Sequence, residues 1–165
     1  MYIVVAVLVI VIVIAGAAAY LLYYNGNGGT TDPTPTPTPI GVADATTLTF
    51  SANVTSQGQT TEYNWAGKDI HVNPIIRADF AGYSYFLDAS LQTSFSSIDN
   101  GATWTQGDFT TDWPFWGDQF AQDVAALTQW SGSGDYSFTN AQDEAVVLFN
   151  IVVNPTIPDS TFAVS

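Results

Sequence analysis

The first 22 residues form an apolar stretch without a charged side chain, and Asp32 is the first charged residue of the chain. A helix of about 20 residues is roughly 30 Å long, which matches the hydrocarbon core of a bilayer. In lipid, a helix is the structure that satisfies its own backbone groups within a single segment. The sequence therefore predicts a hydrophobic helix over residues 1–25, either in lipid or packed against other apolar helices.

The flanks of this stretch lack the positive charges of a secretory signal or a self-inserting anchor. No Lys or Arg precedes Lys68. Three interpretations stay open. In the first, the stretch is the assembly helix of a filament subunit whose basic leader has been removed. In the second, it is a permanent single-span anchor. In the third, it is an uncleaved signal in which Ala17-Ala18-Ala19 resembles a cleavage site.

The uncharged Val, Ile, Ala and Gly helix from Met1 to Asn25, followed by a β-rich domain, resembles the N-terminus of archaeal type IV pilins and archaellins. The resemblance implies that the helix leaves the membrane and bundles with identical subunits in a filament core. It also implies an extracellular, cell-surface location. The residues expected to make the assembly contacts are Ile3, Val4, Val7, Leu8, Val11, Ile14, Ala18, Leu21 and Leu22.

Residues 26–41 form a linker of Gly, Pro and Thr. Alternate prolines from Pro33 to Pro39 fix φ and remove amide hydrogens, which predicts an extended, semi-rigid stalk. A stalk is useful where a domain must be held away from its anchor. Candidate O-glycosylation sites are Thr34, Thr36 and Thr38, and Asn53 in Asn53-Val54-Thr55 is a candidate N-glycosylation site.

The charge balance excludes some partners. Two basic residues face fifteen acidic ones, giving a formal charge of −13. Nucleic acid and anionic lipid surfaces both require clustered Lys or Arg, so neither is an expected partner. There is no cysteine, so disulfides and thiolate ligands are excluded. We expect no cofactor. The expected partners are identical subunits, the membrane before assembly and surface glycans.

Residues 42–165 read as one α+β, mainly β domain. Leu48, Phe50, Ala52 and Val54 alternate with polar residues, as in a strand with one buried face. Further short strands are predicted over residues 61–65, 75–80, 83–87, 91–98 and 145–153, with turns at Gln57-Gly58-Gln59 and Ala81-Gly82.

One amphipathic helix interrupts the strands. Asp112 is the predicted N-cap and Pro114 lies in the first turn, while the apolar stripe consists of Trp116, Phe120, Val124 and Leu127. Ser131-Gly132-Ser133-Gly134 marks the end of this region. The pattern predicts a β-sandwich-like domain, or a curled sheet covered by the helix.

The sequence Ser97-Ile98-Asp99-Asn100-Gly101-Ala102-Thr103-Trp104 resembles an Asp-box, the hairpin motif of sialidase-type propellers. Asp99 is expected to bond its own turn, Gly101 to adopt a left-handed conformation and Trp104 to fold back over the hairpin. A propeller requires several copies and only one is present. The resemblance also implies an arginine cluster in sialidases, which a chain with one Arg does not have.

Other candidate chemistry is sparse. His71 is the only histidine, and no Gly-x-Ser-x-Gly elbow accompanies it. Loop carboxylates around Asp99, or Asp108 with Asp112 and Asp118, are the residue types that bind Ca²⁺, although solvated loop aspartates are the preferred explanation. The cluster Trp104, Trp113, Phe115, Trp116 and Trp130 fits a helix-on-sheet core, the preferred interpretation, or an exposed platform for sugars or a neighbouring subunit.

These observations predict a structural, non-enzymatic protein: an extracellular filament subunit, with adhesion as an additional role. The alternative is a single-span surface protein whose stalked domain binds a ligand or carbohydrate. A stalked hydrolase with paired carboxylates is a third class, kept because acidic residues are plentiful.

Overall fold

The computed structural model describes residues 41–164. The predicted helix over residues 1–25, including Ile3 to Leu22, and most of the linker lie outside the described residues. The strands are β1 (Thr47–Ser56), β2 (Gln59–Lys68), β3 (Ile75–Phe80), β4 (Tyr83–Asp88), β5 (Thr93–Ser97), β6 (Thr105–Gln106), β7 (Tyr136–Thr139) and β8 (Ala145–Val153).

The eight strands form one antiparallel sheet in the order β6-β5-β4-β3-β2-β1-β8-β7. Two-residue turns at Gln57-Gly58 and Ala81-Gly82 have positive φ at both positions, the geometry that joins adjacent antiparallel strands. These turns join β1 to β2 and β3 to β4, and longer connections lead to the other neighbouring strands from β1 to β6. The mainly β prediction is confirmed, whereas the sandwich of two sheets is wrong for the part of the chain that the structure describes.

Most strand boundaries follow the sequence pattern, and β3 and β8 have the predicted ends. The prediction lacked β6 and β7, which contain two and four residues. Such short strands hold too few alternating positions to be recognised. In β8 an extra residue produces a bulge opposite β1 between Thr49 and Ser51, with Asn150 at a φ of 52°.

A continuous helical segment covers one face of the sheet. It comprises α1 (Phe109–Asp112), a π-helical turn (Trp113–Gly117) and α2 (Asp118–Leu127), together called the cover helix. Its N-cap is Asp108, which accepts a hydrogen bond from the Thr110 amide, so the predicted cap at Asp112 is wrong. Asp112 instead accepts a hydrogen bond from the hydroxyl of Ser94. Among the described residues, no helix is long and apolar enough to cross a membrane.

The π-helical turn coincides with Pro114. In a regular α-helix the proline would supply no N–H and its ring would clash with the carbonyl of Thr110, four residues earlier. The wider turn shifts the pattern, and the Asp118 amide donates to the carbonyl of Trp113 five residues back. The proline expected to begin a helix is therefore accommodated inside one.

The apolar stripe of the cover helix is buried as predicted and forms the core with the facing side of the sheet. Its contacts are aromatic: the ring centroid of Phe120 lies 5.9 Å from Phe50 and 5.6 Å from Trp65. Gly67 of β2 leaves the space for Phe120, because a Cβ at this position would overlap its ring. The buried core includes Leu48, Phe50, Trp65, Ile76, Ala78, Leu87, Trp116, Phe120, Val124, Leu127, Val146 and Leu148.

The C-terminal segment after β8 is held by the two basic side chains of the chain. Lys68 forms a 2.6 Å ion pair with Asp159 and its ammonium lies 4.9 Å from the ring centroid of Phe162. Arg77 donates through Nη1 to the carbonyl of Thr161 and pairs through Nε with Asp79. Both basic side chains of the chain therefore form ion pairs within the domain. We call this side of the sheet the outer face.

Candidate functional site

The Asp-box-like sequence forms the expected hairpin between β5 and β6. The Asp99 carboxylate accepts hydrogen bonds from the Ser97 hydroxyl and from both the amide and the hydroxyl of Thr103. These bonds, the Ser97 bond foremost, lower the pKa of Asp99 to about 2. Gly101 has a φ of 83°, as predicted, and its amide donates to the Ser97 hydroxyl. The motif is confirmed as a hairpin whose polar groups are used internally.

Trp104 turns back from this hairpin toward the outer face. The guanidinium carbon of Arg77 lies 5.5 Å from its ring centroid, a cation–π contact. The Asn100 amide donates to the carbonyl of Gly82, which joins the hairpin loop to the β3–β4 turn. The Asp-box-like hairpin and the single arginine thus form one structural unit.

The carboxylates considered for Ca²⁺ have separate local roles. Asp108 caps the cover helix, and hydrogen bonds from Thr110, its hydroxyl foremost, lower the pKa of Asp108. Asp112 accepts from Ser94, and Asp118 is exposed elsewhere on the helix. Within residues 41–164 no group of three or more acidic or histidine side chains is placed to hold a metal ion.

The single histidine lies near the start of the described domain. His71 is exposed, and its Nε2 is 2.9 Å from the carbonyl oxygen of Val42. This contact links the loop after β2 to the short 3-10 helix Val42–Asp44. Its geometry fits a structural role.

The five aromatic residues considered as a platform are dispersed, so that interpretation is wrong. Trp116 is buried in the core, Trp113 packs with its ring centroid 5.2 Å from Phe109, and Trp130 donates to the carbonyl of Gly134. Trp104 lies against Arg77 on the outer face. Phe115 alone of the five is mainly exposed, with 60% of its surface accessible.

Phe115 lines a cleft in the described domain, which we call the amide cleft. Its volume is about 750 Å³, and its walls come from the β1–β2 hairpin, the β7–β8 turn and one side of the cover helix. Six side-chain carboxamides line it, together with two carboxylates and an aromatic hydroxyl. These residues are Gln57, Gln59, Gln119, Gln122, Asn140, Gln142, Asp118, Glu144 and Tyr63.

Hydrogen bonds fix one wall of the amide cleft. Asn140 donates through Nδ2 to Glu144 at 2.9 Å, and its Oδ1 accepts from the backbone amides of Gln142 and Glu144. Gln122 accepts from the Ala141 amide at 3.2 Å, which ties the turn to the cover helix. Burial raises the pKa of the Tyr63 hydroxyl.

The sequence patterns did not predict the amide cleft. They gave other roles to some of its residues, namely Val54, Gln57, Gln59, Pro114, Phe115 and Asp118, and the lining residues extend from Val54 to Glu144 along the chain. Scattered glutamines carry no motif, because a carboxamide on an exposed turn has no distinctive spacing. The clustering results from the order of β7 and β8 beside β1, which the pattern of strands did not reveal.

Asp123 is a buried ionisable residue of the cover helix that the sequence analysis also missed. It is 1% exposed, and its Oδ2 has no hydrogen-bond partner in the described part of the chain. Burial raises the pKa of the carboxyl to about 7. The position of Asp123 in the sequence could have indicated burial, since it lies between Phe120 and Val124 on the edge of the apolar stripe.

The candidate glycosylation sites have different outcomes. Asn53 lies in the middle of β1, half-buried between β2 and β8, and the Thr55 hydroxyl lies 2.8 Å from that of Thr60. Thr34, Thr36 and Thr38 lie outside the described residues. Modification at all four stays a prediction.

We compared the chain with protein-family models, curated proteins and solved structures, and none of them matches it.

Proposed function

We propose that this chain is a structural subunit of an extracellular, pilus-like filament that polymerises through residues 1–25. The observation that carries the proposal is the uncharged apolar stretch followed by a Pro-Thr spacer and a separate folded domain. Some twenty apolar residues require lipid or like helices around them. The Pro-Thr composition between that stretch and the domain is the kind expected of an extended, semi-rigid spacer.

The folded domain suits display in water. Its apolar residues form one core without disulfides, and a formal charge of −13 favours solubility and repulsion between neighbouring domains. Both basic side chains of the chain contact the C-terminal segment, so the domain has little positive charge with which to bind an acidic surface. This arrangement supports a domain that faces solvent on the outside of a polymer.

Cysteine cross-linking tests the proposal, because the chain has no natural cysteine. Full-length Val7→Cys and Val11→Cys variants, treated with a bismaleimide in shed cell-surface material, are expected to form covalent dimers between copies. Gln129→Cys, at an exposed position of the domain, is the matched control. Negative-stain images of the same material are expected to show fibres.

Dimers at Val7 and fibres in the images would support the filament. Monomers that stay with the membrane fraction, with no fibres, would contradict it. That result would favour the second candidate, a single-span surface protein with a stalked domain that binds a ligand or carbohydrate. The amide cleft is the observation that favours this candidate.

A further inference from the structure

We infer that the amide cleft is a binding site for a short neutral oligosaccharide. The inference goes beyond the filament proposal and holds for either mode of attachment, because the cleft lies entirely within the described domain. It rests on three features: the hydrogen-bonding character of the walls, the exposed ring at the rim and the sign of the charges.

The side chains that line the cleft can form hydrogen bonds with the hydroxyl groups of a ligand. Each carboxamide offers two N–H donors and one carbonyl acceptor, so it can serve a sugar hydroxyl in either role. Within residues 41–164, no protein group hydrogen-bonds the side chains of Gln57, Gln59 or Gln119, so these amides face the cleft with their capacity unused. Gln122 and Asn140 instead hold the wall in place. A partly pre-formed polar site results.

An apolar surface stands beside these amides. Phe115 is 60% exposed and lies next to Pro114 in the π-helical turn, and both line the cleft. Its ring packs edge-on against Trp116 at 4.7 Å between centroids, which fixes its orientation. A sugar ring has one face of C–H groups, and covering Phe115 with it would remove apolar surface from water.

The charges that line the cleft restrict which ligands it can bind. Its charged side chains are Asp118 and Glu144, and neither Lys nor Arg lines it. Lys68 and Arg77 are both occupied with the C-terminal segment on the outer face. Sulfated, phosphorylated and sialylated ligands would meet only negative charge here, so the preferred ligand is neutral. A volume of about 750 Å³ lies within the usual range for small-ligand sites.

The test uses the full chain in a zwitterionic detergent that has no sugar headgroup. Saturation-transfer NMR against neutral hexose and pentose di- to pentasaccharides is expected to identify a binder, and titration calorimetry gives its affinity. Phe115→Ala is expected to weaken binding about tenfold and Gln119→Ala several-fold. Gln129→Ala, an exposed glutamine just after the same helix, is the matched control and is expected to bind like the natural chain.

Three results would overturn the inference. The first is the absence of any neutral binder, and the second is binding that Phe115→Ala and Gln119→Ala leave unchanged in variants with the same thermal unfolding as the natural chain. The third is a ligand that binds only when it carries a positive charge, because the inference requires that a neutral sugar suffices. Release of reducing sugar from the ligand would show an active site in place of a binding site. None of these results depends on filament formation.

Discussion

The two faces of the sheet are covered in different ways. On the core face, the cover helix packs aromatic rings against β1 to β4, with Tyr85 and Trp116 at 4.3 Å between centroids. On the outer face, the C-terminal segment and the Asp-box-like hairpin are held by charged and polar contacts centred on Arg77. The core face is therefore stabilised by the packing of apolar side chains, and the outer face by a few charged side chains.

The difference shows how a chain with two basic residues stabilises a large acidic surface. Apolar packing is not screened by salt as ion pairs are, and it is the dominant favourable contribution to folding. Ion pairs at a surface contribute little to the free energy of folding and are screened by salt. The two cations therefore matter most where they bind segments that have few apolar residues to pack. The faces are therefore expected to respond differently to mutation, salt and pH.

The largest effect is expected from the core face. Phe120→Ala should lower the free energy of unfolding by about 3–5 kcal/mol, because the side chain is fully buried against Phe50 and Trp65. Phe115→Ala, on the exposed side of the same helix, should change it by less than about 0.5 kcal/mol. All five tryptophans lie after residue 64, so tryptophan fluorescence in urea reports on the domain. Equal losses in the two variants would contradict the assignment of the faces.

The second prediction concerns the one carboxyl inside the packed face. The pKa of Asp123 is raised by burial to about 7 in the folded domain, against a usual value of 3.8. The folded state therefore binds more protons than the unfolded state between these values, and stability falls as the pH rises from about 4 to about 7. A shift of about three units corresponds to roughly 4 kcal/mol at most.

Asp123→Leu should remove this loss and raise the free energy of unfolding at pH 8 relative to the natural chain. The gain should shrink as the pH falls toward 4. Asp118→Asn, an exposed aspartate of the same helix, is the control and should show no such trend. A gain of equal size at pH 5 and pH 8 would show that Asp123 acts by packing and not by ionisation.

A smaller effect is expected at the centre of the outer face. Arg77→Leu should cost about 1–3 kcal/mol, since it removes charged hydrogen bonds to Asp79 and to the Thr161 carbonyl. Arg77→Lys keeps the charge but loses the planar guanidinium over Trp104, so it should recover little. Faster removal of the C-terminal residues by carboxypeptidase in Arg77→Leu would show that the C-terminal segment has detached from the sheet. Full recovery in Arg77→Lys would mean that charge alone suffices.

The smallest effect is expected at the exposed ion pair. The bond from Lys68 lowers the pKa of Asp159, whose side chain is 99% exposed. Lys68→Met should therefore reduce the unfolding midpoint slightly at low salt, and the difference from the natural chain should vanish near 1 M salt. A difference that persists in high salt would indicate that the lysine acts through packing of its hydrocarbon stem.

The sequence was informative where a local pattern recurs. The alternation from Leu48 to Val54 predicted β1, and the spacing of Trp116, Phe120, Val124 and Leu127 predicted the buried side of the cover helix. The hairpin at Asp99 was predictable because its hydrogen bonds join residues within six positions of one another. The start of the helix was misplaced, because Asp112 and Asp108 are both suitable caps and Pro114 suggested the later one.

By itself the sequence determined the apolar N-terminal stretch, the spacer, the mainly β composition and the scarcity of positive charge, since each is a property of neighbouring residues or of totals. Only the tertiary structure decided that the strands make one sheet, that Arg77 and Lys68 hold the C-terminal segment, and that scattered amides line one cleft. The physical reason is that these features depend on contacts between distant residues. Hydrophobic periodicity specifies which face of an element is buried, but not which other element buries it.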